Sequence, residues 1–195
     1  MTVTGVRFRK LAYPILLILA LAAIGALLWF WWHPLTLILI SLLLLAPGRV
    51  GAYLLKPLYA SRALQARAQF KEAERNATEA IRQLEQQPWR GFALLTAYPV
   101  YTLSALAMAH NNLGAARLEQ GELELASDAF EAARSIDPNY PIPVYNLALV
   151  AALQGRPEVQ SLLADAARMG FSNDGFDRQL SQLADRFAAV QAVHP

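Results

Sequence analysis

From Leu11 to Gly48 the sequence contains no Asp, Glu, Lys or Arg, a run of 38 residues. As one helix this run would be about 57 Å long, too long for a single crossing of a hydrocarbon core of ~30 Å. The expectation is a transmembrane hairpin that turns at His33-Pro34, just after Trp29, Phe30, Trp31 and Trp32, rings suited to the headgroup level. Residues 11–32 form the first expected span, with Pro14 in its first turn, where a missing N–H costs little. The return segment 35–55 either spans, with Arg49 snorkelling to the interface, or is a short, kinked or re-entrant piece. The basic start Arg7-Phe8-Arg9-Lys10 also suits a secretory signal, but the apolar stretch is longer than a usual signal core and a second follows directly.

Charge divides the chain in the same way. Residues 1–71 carry eight basic residues and no acidic one, whereas residues 72–195 carry all fifteen acidic residues. The basic excess flanks the apolar run, which favours a lipid bilayer over nucleic acid as the partner of that half. Basic residues precede and follow the hairpin and none lies in its turn. The positive-inside rule then places the N-terminus (1–10) and the C-terminal domain in the cytoplasm, for a multi-pass integral protein of a bacterial cytoplasmic membrane. The chain has no cysteine, so disulfides and thiolate metal sites are excluded.

Beyond Pro57 the apolar residues recur at helical spacing, punctuated by Gly and Pro. In the stretch 107–140, Leu113-Gly114, Gly121, Ala126, Phe130, Ala133 and Pro138 fall at fixed offsets. This pattern resembles the tetratricopeptide repeat family, with His110 and Arg117 standing where Trp and Tyr are usual. Gly114 would let a second helix cross closely, Gly121 would permit the turn, and Asp137-Pro138 would stop the second helix. Moving on by the 34-residue period gives Leu147, Ala148 and Gly155, so 141–172 reads as a degenerate repeat whose second helix uses Val159, Leu163 and Ala166. Upstream, Pro57, Ala60, Leu64, Ala68, Ala73, Ala77 and Ala80 mark 56–87 as either a degenerate repeat or juxtamembrane helices. The apolar segment 88–106 is a linker or a helix extension. The segment 173–193, with Phe176, Leu180, Leu183, Phe187 and Val190 on one stripe, is expected to cap the open end of the stack.

The expected architecture is therefore all-α: the hairpin, then a short α-solenoid of helix-turn-helix repeats, then a capping helix. The resemblance implies a groove lined by the first helix of each repeat. Its candidate residues are Asn111, Asn112, Ala115 and Glu119 in one repeat and Tyr145, Asn146 and Leu149 in the next. The amides of Asn112 and Asn146 either meet the backbone of an extended partner or brace helix packing locally. Groove Lys and Arg residues of the kind that clamp a terminal carboxylate are not evident.

No catalytic constellation is legible. His33, His110 and His194 share no ligand spacing, Glu122, Glu124, Asp128 and Glu131 read as a solvated face, and no phosphate loop or nucleophile elbow occurs. The Asn76-Ala77-Thr78 sequon has no use in a cytoplasmic domain. The expectation is a non-enzymatic scaffold or adaptor that takes a protein partner, without cofactor, metal or small-molecule substrate. The alternative is a structural or assembly subunit of a membrane complex, held through the hairpin, where Ala20, Ala22, Ala23, Gly25 and Ala26 permit close helix contact.

Overall fold

The computed structural model describes residues 15, 18–26, 38, 41, 48–96 and 101–193. Among these residues the fold is all-helical. After helical stretches at 18–26 and 48–54 come α1 (Lys56–Gln65), α2 (Phe70–Gln86), a 3-10 helix (Pro88–Thr96), α3 (Ala105–Glu119), α4 (Leu123–Ile136), α5 (Pro141–Leu153), α6 (Val159–Arg168) and α7 (Phe176–Val193).

Three helix pairs follow one another: α1 with α2, α3 with α4, and α5 with α6. The same turn closes each first helix. Its last carbonyls are met by 6→1 hydrogen bonds, Gln69 N–H to Leu64 O, Glu122 N–H to Arg117 O and Arg156 N–H to Ala151 O, at 3.0, 3.0 and 2.8 Å. Each requires a left-handed residue just before the donor, and these are Ala68, Gly121 and Gly155 at φ 57°, 79° and 67°. Two of the three positions hold the residue that adopts this conformation without strain. Ala68 does not, so Ala68→Gly should stabilise the fold by about 0.5–1 kcal/mol, the left-handed strain less glycine's entropic cost. A rise in thermal midpoint, followed by circular dichroism, checks this.

Helix starts are equally local. The Ser104 hydroxyl accepts from the Ala107 N–H at 3.1 Å and caps α3, and Pro141 opens α5 where its missing N–H is harmless. The core runs between layers. Phe130, wholly buried, joins Leu118, Ala126, Val144, Leu147, Ala148, Leu149, Leu163 and Ala166 in one cluster. A second cluster joins Leu55, Leu58, Ala80, Leu84, Leu94, Ala105, Met108 and Ala109.

The second cluster shows what the segment after α2 does. Leu94 of the 3-10 helix is buried between the first pair and the start of α3, so this piece is packed against the stack. Beyond it, buried Thr102 donates to Asp137 Oδ2 at 2.6 Å and accepts the Ser104 N–H at 3.0 Å. The inserted segment thereby ties the start of α3 to the end of α4.

The expected multi-pass integral membrane location, with N-terminus and repeats on the cytoplasmic side, is corrected here. Among the described residues no helix is long and apolar enough to cross a membrane. At the far end of the expected return span, Leu55 is buried against Leu58, Ala80, Leu84 and Leu94, so it faces protein. The remaining parts of 11–32 and 35–55, including the His33-Pro34 turn, lie outside the described residues.

Candidate protein-binding face

In a stack of helix pairs, the helices that touch across successive pairs form the inner layer. Here α1 approaches α3 and α3 approaches α5, whereas among the described residues the second helices α2, α4 and α6 make no comparable approach to one another. The inner layer is therefore α1, α3 and α5, the layer that a curved repeat stack would turn to its concave side. Burial raises the Tyr140 hydroxyl well above the usual phenol range, with the Arg62 charge opposing and the Asp137 charge adding. Arg62 of α1 is exposed.

The three candidate asparagines lie within the layer, all buried. Asn112 Nδ2 donates back to α1, to Ser61 Oγ at 2.9 Å and the Leu58 carbonyl at 3.3 Å. Gln65 Nε2 of α1 returns a bond to the Asn112 carbonyl at 2.7 Å. One repeat on, Asn146 Nδ2 donates to Asn111 Oδ1 at 3.0 Å. Asn112 and Asn146, related by the repeat period, each reach the first helix of the preceding pair. These amides brace the stack, and the bonds they make satisfy groups that burial would otherwise leave unpaired.

The other candidates divide according to α7. Tyr145 and Leu149 of α5 are buried beneath it, in a cluster with Phe176 and Leu183 and with partly buried Leu180 and Phe187. Tyr145 meets the Phe176 ring edge-on at 5.6 Å, and its hydroxyl shares a 3.2 Å hydrogen bond with Gln179. Glu119, at the end of α3, pairs with Arg186. Ala115 is half-buried in the centre of α3. The segment expected to cap the open end packs as α7 against α5 of the last pair, shares a cluster with Leu163 and Ala166 of α6, and reaches back to α3 through Arg186.

Several residues of this face escaped the sequence. Phe171 packs against Tyr145 at 5.0 Å and against Tyr101 of the inserted segment at 5.6 Å. Neither falls on the 34-residue period, so only the surplus of aromatic residues outside the repeats signalled them. Arg117, in place of the family's Tyr, has a polar use. Its guanidinium and the Gln120 amide both bond Glu74 of α2, each at 3.0 Å. Burial would raise the Glu74 carboxyl, but these bonds and the Arg117 charge outweigh it and hold the pKa below the usual value. At His110, in place of Trp, burial lowers the imidazole pKa against the opposing pull of Glu85.

Past Phe187 a cleft of about 950 Å³ continues between the first two interhelix turns, lined by Gln69, Lys71, Glu72, Gly121, Glu122 and Leu123 among others. Among the described residues no cluster of three or more His, Cys, Asp or Glu side chains is placed to hold a metal. The site is a helix-lined face of mixed apolar and charged character.

This arrangement defines a helical-repeat protein. The tetratricopeptide repeat family matches residues 107–140, so α3 and α4 with their flanks form such a repeat, which suggests a protein-protein interaction role. No curated protein matches the chain.

Proposed function

We propose that the chain is a non-enzymatic interaction scaffold whose inner face takes a peptide or helical segment of a partner protein. The observation that supports this reading most is the state of that face. It has an apolar part, Tyr145 and Leu149, already covering itself with a helix. Exposed Arg62 and half-buried Ala115 lie on the same first helices, and at the end of α3 a cleft of about 950 Å³ opens, lined by Glu119, Leu123, Arg186 and Phe187 among others. Pockets of that size suit a side-chain cluster from a docked segment. The asparagines contribute as braces that fix the spacing of α1, α3 and α5, so the face is formed before a partner arrives.

Site-specific photocrosslinking tests this. A benzophenone residue placed in the full chain at Arg62 or Ala115 should give one discrete protein adduct in cells. The same residue at Asp128 or Glu131, on the outward side of α4, should give none. Adducts only from the outward positions would move the binding site to the other face.

A further inference from the structure

We propose that α7 is a resident occupant of a helix-binding groove, and that the partner segment is an amphipathic helix of the same pattern that takes its place. This rests on the reading of the inner face as the binding face.

The pattern is specific. Phe176, Leu180, Leu183 and Phe187 are spaced by four, three and four residues, which aligns them on one side of a helix. Leu183 is wholly buried and Phe176 nearly so, while Asp177, Arg178, Ser181, Gln182 and Asp185 on the other sides are exposed. A helix that buries one apolar stripe and leaves the rest in water is bound in the way a separate ligand helix is bound in a groove. Register is set by charge at one end, where Arg186 meets Glu119, and by the Tyr145–Gln179 bond near the other.

Gly170 and Gly175 bracket the link from α6, both at φ 86°, and between them Phe171 and Asn173 fasten it, the ring to Tyr145 and Tyr101 and the amide to the Leu163 carbonyl. The link stays with the stack, so an exchange would move α7 beyond Gly175. Phe187 is only partly buried beside Gly121, and with Arg186 it lines one edge of the cleft between the turns at Ala68 and Gly121. With α7 displaced, Tyr145 and Leu149 would face water, so the groove favours one occupant or the other over none.

Fluorescence anisotropy with a labelled synthetic peptide of residues 173–193 tests the exchange. The acceptors are the full wild-type chain, the full chain with Arg186→Glu and Phe187→Ser, and that variant with Glu119→Arg added. Loosening α7 should tighten peptide binding about tenfold over wild type, because the groove is freed from its own helix. The chain carrying Glu119→Arg should prefer a peptide carrying Arg186→Glu over the unaltered one. Equal binding to the first two chains, or none to either, would overturn the proposal. So would loss of the cooperative melt in the loosened variant, since α7 would then be a permanent part of the core. If the peptide fails while photoadducts still form from Arg62 and Ala115, only the helix exchange falls. If both fail, the inner-face reading falls with it.

Discussion

Replacing Phe130 by alanine is expected to cost about 3–5 kcal/mol, the range for truncating a fully buried aromatic ring. That is a large share of the 5–15 kcal/mol that holds a typical domain together. Phe130 is 0% exposed and joins α4 to residues of α3, α5 and α6. The ring lies against Gly114, where the helices of the repeat cross, so no neighbouring side chain is placed to refill the space from that side. Urea unfolding followed by helix signal should show a large fall in midpoint. An unchanged midpoint would mean that the α3–α4 crossing contributes little to the fold.

The converse substitution, Gly114→Ala, should cost about 2–3 kcal/mol by overpacking. A Cβ at Gly114 would sit 2.6 Å from both Cδ1 and Cε1 of Phe130, and a wholly buried ring has nowhere to retreat. The third helix pair shows the relation from the other side. There the position of Gly114 is taken by Ala148 and that of Phe130 by the smaller Leu163, both in the same core cluster. Size at one position trades against size at the other. Phe130→Leu should therefore recover part of the loss in Gly114→Ala, and the double-mutant cycle should be clearly non-additive. Additive costs would show that the two residues do not share one contact.

Those two residues also mark where the sequence was most legible. Leu113-Gly114, Gly121, Phe130 and Pro138 hold fixed offsets because each meets a need inside one helix pair: a crossing, a turn, a ring to fill the gap, a stop. For the first pair the spacing left a degenerate repeat and juxtamembrane helices both open; in the fold Ala73, Ala77 and Ala80 are all buried, and Ala68 occupies the turn that glycine occupies later. The 34-residue period carried the reading to Leu147, Ala148 and Gly155 and to the burial of Leu163 and Ala166.

What the pattern missed involves contacts between segments that do not repeat. Asn112 and Asn146 kept their period, but spacing alone does not tell an amide facing a partner from one bonded to the preceding helix. The stripe of α7 was visible, yet its seat on α5 depends on the link at 170–175 and on Arg186 finding Glu119. Hydropathy suggested a membrane hairpin, and the structure corrects that location: no described helix is long and apolar enough to cross a membrane, and Leu55 belongs to the repeat core.

That a helix belongs on the inner face, and that α7 holds its place there, is tested most directly by fixing α7. The natural chain has no cysteine, so Glu119→Cys with Arg186→Cys introduces two thiols that a bismaleimide can bridge. A benzophenone residue at Ala115 in this chain should give the partner adduct before bridging and lose most of it afterwards. An equally strong adduct in both states would contradict the account, because partner binding would then be indifferent to where α7 lies.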